Sequence, residues 1–76
     1  MVRAIIMVKA APGEAEALVE RVLGQEFVTE VHVVAGDFDL VVEAEAPEVY
    51  DILHSVSTAI RGLAGVADTK SYVCLE

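Results

Sequence analysis

Between Val2 and Ala10 the even positions Val2, Ala4, Ile6 and Val8 are wholly apolar, whereas the odd positions run Arg3, Ile5, Met7 and Lys9. A period of two predicts a strand, and apolar residues on its second face predict that this face is covered too. Pro12 and Gly13 then punctuate a helix start, with Glu14 and Glu16 at the positive end of its dipole. Ala15, Leu18, Val19, Val22 and Leu23 recur at the spacing of one helical face, and Gly24 supplies the stop. Phe27 to Val34 is a second strand by its β-branched content, and Leu40 to Ala46 a third, with Glu43 and Glu45 on one face. Between them Ala35-Gly36-Asp37-Phe38-Asp39 has the length and the glycine of a hairpin loop. Pro47 opens a second helix with Val49, Ile52, Leu53, Val56 and Ile60 as its buried stripe, closed by Arg61 and Gly62. Leu63 to Val66 turns the chain, and Thr69 to Leu75 is a fourth strand.

The order β-α-β-β-α-β is the ferredoxin-like arrangement, an α+β fold in one domain spanning residues 1–76. Right-handed crossovers predict an antiparallel sheet of strand order 4-1-3-2 with both helices on one face. A faint internal echo agrees: Val28-x-Glu30 and Val66-x-Asp68 stand 38 residues apart (66 against 28), half the chain. The other sheet face is left bare although Ile5 and Met7 make it partly apolar, and a second copy's sheet is the obvious cover.

Composition strengthens that expectation. The chain has 76 residues of which 55% are hydrophobic, above the usual 45–50%, in a length that gives only a marginal core. Five basic residues against 13 acidic ones leave a net charge of −8. Such a surface repels phosphate backbones and anionic lipid, which argues against direct nucleic-acid or membrane binding. The apolar run Ala4 to Val8 is too short for a membrane span or a secretion signal. One cysteine, Cys74, allows no internal disulfide and suits a reducing, cytoplasmic setting.

Chemistry-bearing residues are few. His32, His54 and Cys74 are the soft-ligand candidates, and no two share a recognised ligand spacing, so no metal is expected. His32 lies on strand two, where it could face a partner. Serines coexist with histidines and acids without a triad pattern, glycine-rich phosphate motifs are absent, and no cofactor is implied. Two polar clusters remain, Gly36-Asp37-Phe38-Asp39 in the hairpin and Asp68-Thr69-Lys70-Ser71 at the start of strand four. Thr69 and Ser71 are two apart, so their hydroxyls share a face. Carboxylates and hydroxyls beside free amides could hold an amino acid's ammonium and carboxylate, and the same residues also serve as ordinary turn chemistry.

The run Val31 to Leu40, with its G-x-x-D, and Gly65-Val66-x-x-Thr69-x-Ser71 further on together resemble the effector-binding domain of Lrp/AsnC-type regulators. It is also called the RAM domain, for regulation of amino-acid metabolism. The resemblance covers nearly the whole chain. It implies a ferredoxin-like fold that pairs sheet to sheet into a dimeric α/β barrel, with further assembly, commonly into octamers. It also implies a small amino-acid effector held by Ala35, Gly36, Asp37, Asp39, Thr69 and Ser71. This sequence has Ser71 where the family often has Thr, Ala35 where a hydroxyl is common, and Ala64 in place of a frequent Pro. The helix-turn-helix of full regulators does not precede strand one. The expectation is therefore a stand-alone, non-enzymatic sensing domain whose partners include its own copies and full-length Lrp/AsnC regulators. The alternative is a small dimeric α/β-barrel enzyme of the cofactor-free monooxygenase or isomerase kind, which shares the fold and would need a reactive polar group between helices and sheet.

Overall fold

The computed structural model describes residues 1–75; Glu76, the last residue of the expected domain, lies outside them. Strand β1 (Val2–Ala10) is followed by helix α1 (Ala15–Leu23), strands β2 (Val28–Val33) and β3 (Leu40–Ala46), a π-helical stretch (Asp51–Val56) running into helix α2 (Ser57–Arg61), and strand β4 (Val66–Val73). All strand pairs are antiparallel in the order β2-β3-β1-β4, the predicted arrangement. Among the described residues no helix is long and apolar enough to cross a membrane.

The period-two pattern of β1 sorts the sheet into two faces. Ala4, Ile6 and Val8 are buried beneath the helices with Leu40, Val42, Ala44 and Ala46 of β3. Leu18 and Val22 of α1 close one side of this core, and Ile52, Val56 and Ile60 close the other. The odd positions of β1 stand on the open face. There Ile5 is paired with Glu43 and Tyr72, and Met7 with Val41 and Lys70. Ile5 and Met7 are only half-buried, and Tyr72 is 56% exposed. The apolar surplus read from composition lies partly on this face.

The second helix departs from its predicted stripe. The Ser57 amide donates to the Ile52 carbonyl, five residues back, so the chain is π-wound before it tightens into α2. The wider turn changes which side chains face inward. Ile52, Val56 and Ile60 stay buried, but Val49 and Leu53 are 45% and 47% exposed and Ser57 enters the core. Leu23, at the end of the predicted α1 stripe, is also exposed.

The internal echo is geometric as well as sequential. Both helices end on a glycine, Gly24 and Gly62, whose amides reach back to the Glu20 and Thr58 carbonyls. Gln25 then donates to Val22 and Val28 to Gln25, and Leu63 to Ile60 and Val66 to Leu63 in the second half. Just before each following strand the backbone is left-handed, at Phe27 (φ 72°) and Gly65 (φ 94°). Glycine adopts that conformation freely, whereas at Phe27 it carries a strain of roughly 1–2 kcal/mol. Strand four accordingly starts at Val66, three residues earlier than predicted, straight from this turn.

Candidate functional site

The two polar clusters meet the carboxyl-terminal end of β1 from opposite sides. Val8 is paired with Leu40 of β3 on one side and with Thr69 of β4 on the other. The Asp39 amide donates to the Val8 carbonyl at 2.9 Å, and Asp39 Oδ2 accepts from the Ala10 amide at 2.8 Å. The Asp39 carbonyl accepts from Val34 at 2.9 Å, which closes the hairpin. One aspartate thereby ties the hairpin to β1 beyond the last pair of their ladder. Lys70 Nζ lies 5.9 Å from the centre of the Phe38 ring, which links the hairpin to β4 as well.

Beside Asp39 opens a cleft of about 440 Å³ lined by Ala10, Ala11, Pro12, Gly13, Ala15, Glu16 and Asp39. Its walls are small because the β1–α1 loop lines it with Ala11, Pro12 and Gly13. Gly13 turns with φ 78°, and the Ala11 amide is anchored on the Gly65 carbonyl at 2.7 Å. The cleft faces the first turn of α1, whose leading amides have no intrahelical carbonyl to bond. The Asp39 carboxylate from the hairpin, and the first turn of α1 with its leading amides and the Glu16 carboxylate, offer both signs that a zwitterion needs.

Of the six residues expected to bind a ligand, Asp39 lines this cleft. Ala35, Gly36 and Asp37 are exposed on the adjoining hairpin. Thr69 and Ser71 do share a face, but it is the helix-covered one, since they pair with Val8 and Ile6. Ser71 Oγ lies 2.7 Å from Ser57 Oγ of α2, a hydrogen bond inside the fold, and Ser57 is 3% exposed. That bond occupies one of the Ser71 hydroxyl's hydrogen-bonding positions. The loop residues Ala10 to Gly13, with Ala15 and Glu16, signal no more than a helix start in the sequence. Their run of small side chains was the available sign that something approaches the backbone there.

His32 is on the open face of the edge strand β2, paired with Val41, and its Nε2 lies 3.1 Å from Glu30 Oε1. It does not stand at a wall between helices and sheet, where the alternative enzyme reading would need it. His54 is exposed and stacks on Tyr50 with ring centres 4.2 Å apart.

Comparison with known proteins agrees with the fold. A family model described as the Lrp/AsnC ligand binding domain matches residues 3–76. The leucine-responsive regulatory protein of Haemophilus influenzae is 29% identical over 72 residues, which are 95% of this chain and 43% of that protein. The chain spans less than half the length of the curated relatives it matches. A crystal structure of a protein from Thermus thermophilus superposes with a TM-score of 0.91 at 26% identity, covering 100% of this chain and 95% of the other. A feast or famine regulatory protein from M. tuberculosis, solved in complex with L-methionine, shares the fold at a TM-score of 0.73 and 24% identity, over 100% of this chain and 51% of its own.

Proposed function

The chain belongs to the Lrp/AsnC ligand-binding domain family, and from that premise we propose that it is an amino-acid-sensing and assembly domain without catalytic activity. The observation that carries this reading is the cleft at the end of β1, where the Asp39 carboxylate is held by a backbone amide beside a loop of small residues. Its size falls within the range of about 300–1,000 Å³ common for small-molecule sites. Asp39 and Glu16 receive the ammonium, and the leading amides of α1 the carboxylate. Ala35, Gly36 and Asp37 close the site from the hairpin, with Thr69 behind them, while Ser71 supports β4 through Ser57. The L-methionine bound to the M. tuberculosis regulator supports the amino-acid class of the ligand.

Two copies pair through the open sheet face as a dimeric α/β barrel, and dimers assemble further, up to octamers. The half-buried Ile5 and Met7 support that surface. In the cytoplasm the domain acts on amino-acid metabolism through ligand-dependent assembly, with itself or with full-length Lrp/AsnC regulators. The −8 charge supports a role without direct DNA contact.

Calorimetric titration of the assembled protein with each of the common amino acids tests the proposal. At least one is expected to bind, and Asp39→Asn to weaken it about tenfold or more, the scale of a lost charge-assisted contact. Asparagine keeps an acceptor for the Ala10 amide, so the fold persists. Absence of binding by every amino acid, or equal binding by Asp39→Asn, overturns it.

A further inference from the structure

Three side chains outside the cleft converge on the open face beside the edge strand. Glu30 and His32 are alternate residues of β2 and so stand on one face, and Glu43 of β3 is paired directly with Glu30. One ligand atom from each lies within 4.8 Å of the other two. Carboxylates opposed across a strand pair repel. Arg3 answers one of them, with Nη2 3.0 Å from Glu43 Oε1. Among the described residues Glu30 has only His32 as an ionic partner.

We infer that Glu30, His32 and Glu43 form a site for a divalent transition-metal ion, Zn²⁺ by its donor set, with one imidazole nitrogen, two carboxylate oxygens and a position left open. Carboxylates alone would suit Mg²⁺ or Ca²⁺, and the imidazole shifts the preference toward zinc and its neighbours. Ligand bonds of about 2.0–2.2 Å set tetrahedral donors about 3.4 Å apart. The observed donors therefore need to close by little more than an ångström. In the single chain the His32 and Glu30 side chains, on the edge strand of that face, are 57% and 56% exposed, so rotamer changes accomplish this. The backbone already supplies the juxtaposition, because the irregularity between Val28 and Glu30 sets Glu30 opposite Glu43. A bound cation also removes the repulsion between the two carboxylates. The site shares no residue with the cleft, so it does not depend on the effector reading.

Titration of metal-free protein with Zn²⁺, and with Co²⁺ as a visible-absorption reporter, tests the site. One ion per chain is expected, bound about tenfold or more weaker by His32→Ala, also weaker by Glu30→Gln, unchanged by His54→Ala, and not displaced by equimolar Mg²⁺. Circular dichroism checks that the exposed His32→Ala variant is folded. If it is not, the isosteric Glu30→Gln variant decides. No binding, equal affinity in the variants, displacement by Mg²⁺ or a Co²⁺ charge-transfer band from Cys74 overturns the assignment.

Discussion

The Ser57–Ser71 hydrogen bond joins the second helix to the last strand, and its removal has a size that the structure dictates. Ser71→Ala leaves the Ser57 hydroxyl, in a residue 3% exposed, without its partner at 2.7 Å. A net hydrogen bond contributes about 0.5–1.5 kcal/mol, and an orphaned buried hydroxyl costs about 1–3 kcal/mol. Ser57 can recover part of this by bonding back to a carbonyl of its own helix, which places the loss at about 1–2 kcal/mol. Removing both hydroxyls leaves no orphan, so the double variant should be less destabilised than the single losses sum to. The expected coupling is about 1 kcal/mol. Urea unfolding of the four proteins at one fixed concentration measures it, since assembly makes apparent stability concentration-dependent. In thermal unfolding each kcal/mol corresponds to about 4–8 °C for a domain of this size. A coupling within about 0.3 kcal/mol of zero would refute the strut. Unchanged stability of Ser71→Ala together with lost amino-acid binding would return Ser71 to the ligand site.

Two further outcomes follow from the turns and the open face. Gly65→Ala should cost more than Gly13→Ala in chemical denaturation. Both glycines are left-handed, but a Cβ at Gly65 meets the Glu14 Cβ at 3.3 Å, whereas at Gly13 nothing lies within 4 Å. The left-handed strain alone is about 1–2 kcal/mol, and equal losses would show that the Glu14 contact relaxes freely. Met7→Glu should shift the protein toward the monomer in sedimentation while its far-UV circular dichroism is retained, because Met7 lies on the open face and outside the buried core. An unchanged sedimentation profile would mean that copies pair elsewhere.

The strands and their order were legible because strand periodicity is local and handedness is generic. Four apolar even positions in β1 can face only a core, and right-handed crossovers leave one order for the sheet. The hairpin was equally plain, and Asp39 stands within it as a candidate. Its acceptance of the Ala10 amide was not legible, since the two are 29 residues apart and meet only once β1 and β3 are in register.

Sequence alone thus determined the fold class, the apolar face of β1, the unpartnered second face and the half-chain repeat, because each follows from alternation, turn chemistry or composition along a continuous stretch. Tertiary structure decided what those residues do to one another. Around the π-wound segment Val49 and Leu53 stand exposed and Ser57 is buried. Pairing with Ile6 then brought Ser71 to the Ser57 hydroxyl, a contact between β4 and α2 that neither stretch of sequence contains. His32 carried no ligand spacing of its own along the chain. It acquired two carboxylate neighbours when Glu30 shared its face and the β2–β3 register set Glu43 opposite, because a sheet assembles sites across strands whose separation in sequence the pattern of one strand does not contain.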